Sequence, residues 1–148
     1  MTDTTYRYVT AQEVQRVCRD IGISDWTALT SATIDPAEAE IVRGFVGGEA
    51  LDIPFADFRL GLEIELEHGL RFNDANVTCN HPVLTGRIVL AHLKEGLDYY
   101  TRLHCMELEM ELAAAIRAGD AARAAVKRKD LASARVHLEQ GIAAAPVA

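Results

Sequence analysis

Along most of this chain apolar side chains recur every three or four positions, the period of a helix that turns one face inward. The boundaries of these runs are marked by capping and breaking residues. Thr10 stands ahead of residues 11–21 as an N-cap, with Glu13 in the spacing of a capping box, and Gly22 ends the run. Asp35-Pro36 opens a short helix that breaks at Gly47-Gly48. Pro54 opens a long segment to Gly69, and residues 70–81 (L-R-F-N-D-A-N-V-T-C-N-H) form a polar, turn-rich loop. Asn80 or His81 caps the next helix, with Pro82 at its first position, and Gly96 ends it. Asp98 caps a helix to about Ala118, and Gly119-Asp120 separates it from an alanine-rich tail. The tail reads as two shorter helices, 121–128 and 131–143, turning at Lys129-Asp130.

Residues 58–68 and 106–112 alternate apolar and polar, which is the period of a strand. Their Leu, Glu and Met content and their few β-branched residues favour helix. The expected fold is therefore all-α, a small helical bundle of five to seven helices in a single domain over 1–148. Its core bundle spans about 54–118, flanked by 1–53 and by the helical tail 119–148.

Composition narrows the function classes. Hydrophobic residues make up 49% and charged residues 25% of the 148, the balance of an ordinary soluble globular protein. A net charge of −7 argues against nucleic acid or an anionic membrane surface as partner. No apolar run approaches membrane-spanning length, and the first residues lack a signal pattern. Cys18, Cys79 and Cys105 are odd in number and widely spaced, which fits free thiols in a reducing cytoplasm. Asn76-Val77-Thr78 is formally a glycosylation sequon, but nothing in the chain supports secretion. Phosphate-binding glycine loops and serine-nucleophile motifs are absent.

Polar residues on apolar faces carry the candidate chemistry. On a helical wheel of residues 54–69, Phe55, Phe58, Leu62, Leu66 and Gly69 form a stripe that contains Glu65, with His68 at the edge of a second stripe. Arg59, Glu63 and Glu67 fall on the polar side, where Arg59 and Glu63 pair at i, i+4. In residues 83–96, His92 lies among Ile88, Val89 and Leu93, with Glu95 on the flank. In the next helix the expected buried face is Tyr99, Leu103, Met106, Met110 and Ala114, with Glu107 in its middle and Tyr100 and His104 beside it. Buried carboxylates and imidazoles need partners, so convergence on one site is the simplest reading. Imidazole and carboxylate ligands suit iron, manganese and zinc, and i, i+3 pairs let one helix present two ligands to an ion. Glu65-x-x-His68 has the order used in dimetal four-helix proteins, whereas His92-x-x-Glu95 and His104-x-x-Glu107 are reversed. The bland reading of each piece is a satisfied core histidine, a carboxylate paired with an arginine, and a tyrosine pair used in packing.

The segments E-L-E-H-G at 65–69, N-V-T at 76–78, P-V-L-T-G-R-I-V-L-A-H-L-K-E at 82–95, D-Y-Y-T-R-L at 98–103 and M-E at 106–107 occur in an order that resembles a known family. It is a family of small bacterial and phage-borne proteins catalogued as domain of unknown function 5661, and the likeness covers about residues 55–112. The resemblance implies a small helical domain and no established activity. Its hallmark positions fall here on Glu65, Glu67, His68, Gly69, His92, Glu95, Tyr99, Tyr100 and Glu107. Against the family pattern, residues 26–53 read as an insertion, and Asn80-His81 stand where aspartates are usual.

The function expected from these residues is a cytoplasmic, non-haem metal-binding protein, an oxidoreductase acting on a small-molecule substrate. Glu65, His68, His92, Glu95, His104 and Glu107 are the candidate ligands or their orienting partners, and Tyr100 is the candidate proton donor. The expected cofactor is a divalent metal, iron or manganese favoured over zinc because the site is rich in carboxylates and lacks thiolates. A zinc hydrolase with Glu95 as general base is a nearby variant. The rival from another class is an interaction module with a metal-free polar core, forming a homodimer through the alanine-rich tail.

Overall fold

The computed structural model describes residues 8–145. Among these are six α-helices, three short 3-10 turns and no strand, so the chain is all-α as its periodicity predicts. The helices are α1 (Ala11–Ile21), α2 (Pro36–Val46), α3 (Phe55–Arg71), α4 (Pro82–Glu95), α5 (Tyr99–Arg117) and α6 (Ala121–Ala144). The backbone divides into two compact units, Met1–Leu97 and Asp98–Ala148.

In the first unit the caps sit where the sequence places them. Thr10 Oγ1 accepts from the Glu13 amide at 3.2 Å, and Gly22 leaves α1 in the left-handed conformation at φ 78°. Asp35 accepts from the Ala37 amide ahead of Pro36, and His81 Nδ1 accepts from the Leu84 amide ahead of Pro82. These groups satisfy amides that the first helical turn leaves open.

Around them α2, α3 and α4 bury Val42, Phe58, Leu62, Leu66, Val89 and Leu93, with Val14 and Cys18 joining from α1. Gly86 makes the close approach of α4 possible. A Cβ there would stand 2.6 Å from Val46 Cγ2, 3.2 Å from Val42 Cγ1 and 3.3 Å from Phe58 Cζ. A larger residue would push the helices apart and lose their packing.

Residues 23–35 have almost no regular structure, and side chains fix their path. Trp26 is fully buried, and its Nε1 donates to Glu38 Oε2 at 3.1 Å. Arg59 and Glu63 pair at 3.2 Å as expected, yet neither simply faces water. Arg59 donates to the Ile34 carbonyl at 3.0 Å, and Glu63 accepts from the Ile34 amide at 3.1 Å. The pair clamps both backbone groups of one buried residue, so the solvent-facing reading of Glu63 is corrected.

The second unit is a helical hairpin. Gly119, at φ 70°, turns the chain, and Asp120 caps α6 by accepting from the Arg123 amide. Cys105, Leu108 and Leu131 form its buried cluster, with Leu112, Ala134 and Leu138 packed against it. The expected turn at Lys129-Asp130 does not occur, and α6 is one helix of 24 residues. Ala, Leu, Arg and Lys around that dipeptide are strong helix formers, and no glycine or proline interrupts them. The buried face of α5 also differs from the one expected. Tyr100, Cys105, Leu108 and Ala115 are buried, while Met106 and Met110 are 48% and 55% exposed. No helix among the described residues is long and apolar enough to cross a membrane.

Candidate functional site

The α3 stripe expected to carry Glu65 does so. Leu62 and Leu66 are buried on either side of it, and the Glu65 side chain is 16% exposed. Across the α3–α4 contact, His92 Nδ1 lies 3.0 Å from Glu65 Oε1. An ionised carboxylate can only accept, so in that state Nδ1 carries the proton and the carboxylate orients the ring. The reverse also holds, since the ring fixes one carboxylate oxygen.

Beside this pair the first unit holds a cavity of about 150 Å³. Glu65, His68 and Gly69 line it from α3, Thr85 and Ile88 from α4, and Phe72, Ala75, Asn76, Val77 and Thr78 from the loop between them. A cavity of about this volume in another protein accommodates benzene.

The loop is built rather than slack. Asn76 Nδ2 donates to Asn80 Oδ1 at 2.8 Å, Thr78 Oγ1 donates to Asn76 Oδ1 at 3.3 Å, and Asn80 Nδ2 donates to the Trp26 carbonyl at 3.2 Å. Cys79 and Asn80 both take left-handed backbone at φ 49° and 61°, a conformation that asparagine tolerates better than most residues. Gly69 accommodates this network. A Cβ there would stand 2.9 Å from both Asn76 Nδ2 and Asn80 Oδ1. The glycine of E-L-E-H-G and the asparagine of N-V-T are therefore two halves of one contact.

Thr85 is the unusual member of the lining. It is 2% exposed, and its Oγ1 has no hydrogen-bond partner among the described residues. A buried hydroxyl without a partner is uncommon and costs about 1–3 kcal/mol. It sits on the cavity wall.

The other candidates scatter. His68 lines the cavity, whereas Glu95 is exposed in the last turn of α4. His104 is exposed on α5, Glu107 is half-buried, and Tyr100 is buried with its ring edge-on to Tyr99 at 5.2 Å and 79°. Among the described residues no group of three or more His, Cys, Asp or Glu side chains could hold a metal ion. This overturns the reading of Glu65, His68, His92, Glu95, His104 and Glu107 as ligands in a metal-binding oxidoreductase or zinc hydrolase. The physical reason lies in the wheel projection, which placed every polar residue near an apolar stripe in the interior. In the folded chain Glu95 and His104 face solvent, and Glu65 meets an imidazole.

Sequence reasoning passed over Thr85, Asn76, Thr78 and Phe72. The signal for Thr85 was a β-branched hydroxyl in the apolar half of a helix. The signal for the others was the density of turn formers in residues 72–80. The three cysteines are free, and burial pushes the Cys18 thiol above its ordinary pKa.

The fold and the cavity define a small all-α protein whose first unit carries a half-open, mostly apolar pocket with a few polar groups in its wall. The chain belongs to the family described as "Protein of unknown function (DUF5661)", whose model matches residues 14–109 and so includes every residue that lines the cavity. The match is wider than the motif-bearing stretch and passes through residues 26–53. Neither a curated protein nor a solved structure matches the chain.

Proposed function

We propose that the first unit is a receptor for a small polar organic molecule, held in the cavity between α3, α4 and the 72–80 loop. The observation that carries this reading is the buried hydroxyl of Thr85, a residue that lines the cavity, for which no partner is found among the described residues. A ligand would give it the hydrogen bond that the protein does not. The remaining lining has the character of small-molecule sites, with a few convergent polar groups on an apolar bed. Glu65, Asn76 and Thr78 supply the polar groups, and Phe72, Val77 and Ile88 supply the bed.

Binding is favoured over catalysis by the placement of His92. It touches Glu65 but is not among the lining residues, so it acts on the carboxylate from behind the wall. The test is an amide NMR titration of the full chain with a panel of fragments of about five to eight heavy atoms, the size the cavity admits. Shifts concentrated at Gly69, Thr78, Thr85 and Ile88 are expected. A panel that shifts none of these resonances, or shifts only exposed positions of α6, contradicts the proposal.

A further inference from the structure

On α5, Cys105, Leu108 and Leu112 pack toward Leu131 of α6. A second apolar row, Leu103, Met106, Met110 and Ala113, lies roughly 150° round the helix from them, at about 100° per residue. Its members stand three, four and three apart, the spacing of a helix that packs along another helix. Met106 and Met110 are 48% and 55% exposed, and Leu103 and Ala113 are half-buried. The solvent side of a helix is ordinarily polar, and a contiguous apolar row left open there marks a docking face. On α6 the outward positions are Ala122, Ala125, Lys129, Ala132 and Val136, with little apolar volume and a lysine in their middle.

The charges beside the α5 row indicate what docks on it. Arg102 and Glu109 are seven apart and so flank the same edge. Both are exposed, and their ion pairs within the chain, Arg102 with Asp98 at 2.8 Å and Glu109 with Arg135 at 2.6 Å, are surface contacts of small worth. Two copies of α5 laid antiparallel, with Leu103 of each against Met106 of the other, bring each Arg102 to the Glu109 of the other copy. Sliding one helix by seven residues sets Glu109 against Glu109 in one direction and Arg102 against Arg102 in the other. In a parallel pair Glu109 would face Ala114 instead. One arrangement therefore joins apolar row to apolar row and opposite charge to opposite charge.

We propose that this row is the contact face of a homodimer, in which α5 pairs antiparallel with α5 of a second copy about a two-fold axis. Methionine suits the role, because its flexible thioether fills an irregular seam. A single helix pair is a small interface, so the dissociation constant should be on the order of 100 µM.

The test is sedimentation velocity of the full chain at concentrations from about 5 µM to about 1 mM. A monomer at the low end and a dimer at the high end are expected. Met106→Glu, at an exposed position, should raise the dissociation constant by more than about tenfold. Arg102→Glu and Glu109→Arg should each raise it about tenfold, because every dimer holds the pair twice. The chain carrying both substitutions should regain most of the original affinity, a rescue that damage to the fold would not show. A chain that stays monomeric to about 1 mM overturns the proposal and leaves the row to a different protein. A dimer that Met106→Glu does not weaken, or that the paired substitution does not restore, also overturns it, because the contact then lies elsewhere or in another register.

Discussion

In the first unit, α3 and α4 bury polar groups beside their leucines, and in the α5–α6 hairpin the buried cluster is apolar. Glu65 meets His92 across a helix contact, Asn76 and Asn80 are joined behind Gly69, and Thr85 is buried on a cavity wall. In the hairpin, Cys105, Leu108 and Leu131 meet without a polar group among them, and ion pairs such as Arg135–Glu109 at 2.6 Å lie on the exposed side. Both regions show the same sequence signature, a histidine and a glutamate three residues apart on an amphipathic helix. On α3 and α4, which pack on each other, Glu65 and His92 meet, whereas on α5 His104 is exposed and Glu107 is half-buried.

The largest difference between the regions should appear on truncating large side chains. Phe58→Ala should destabilise the first unit by about 3–5 kcal/mol, because it empties the centre of the α2, α3 and α4 packing. Met110→Ala, at a position more than half exposed, should change stability by less than about 0.5 kcal/mol. Urea denaturation of both variants checks this, and a comparable loss for Met110→Ala would mean that its side chain is covered.

Glycine substitution sharpens the contrast and reverses its sign. Gly86→Ala should destabilise by about 1–3 kcal/mol, because the new Cβ has no room against Val46 and Val42. Gly141→Ala, in α6 with no heavy atom within 4 Å of the added Cβ, should stabilise by about 0.5–1 kcal/mol. Thermal melts of the two variants should therefore move in opposite directions, and equal shifts would contradict the packing described here.

A smaller effect is expected with pH. Burial holds the His81 imidazole below its ordinary pKa of 6.5. Its neutral Nδ1 accepts from the Leu84 amide at the start of α4, and protonation removes that cap. The folded state therefore resists protonation. This contribution to stability is complete above about pH 6.5 and is lost as pH falls below it. His81→Asn keeps a capping oxygen, so its stability should fall less steeply between pH 6.5 and pH 5 than that of the unsubstituted chain. Parallel curves would show that His81 does not titrate through this contact.

Much of the fold was legible because helix ends carry local chemistry. Thr10, Asp35-Pro36, His81-Pro82, Asp120, Gly22 and Gly119 each act on groups within a few residues, and each marks a boundary in the structure. The path of residues 23–35 was not legible because it depends on Glu38, Arg59, Glu63 and Asn80, which are distant in sequence. The rotation of α5 was misread because Met and Ala fit either side of a helix, and Cys105 and Leu108 decide it only through their contacts with Leu131.

The site was half visible. Glu65, His68 and His92 stood out because ionisable groups on an apolar face violate a pattern. Thr85 did not, because a threonine is unremarkable in a helix until its hydroxyl is found to lack a partner.

The most direct test of the cavity as a built binding site is the melting of Thr85→Val, which replaces the hydroxyl by a methyl of nearly the same shape. A hydroxyl kept for a ligand weakens the empty fold, so the variant should be more stable by about 1 kcal/mol in the absence of any added molecule. A loss of about 1 kcal/mol or more would show that the hydroxyl is satisfied within the fold, and the case for a ligand there would fall.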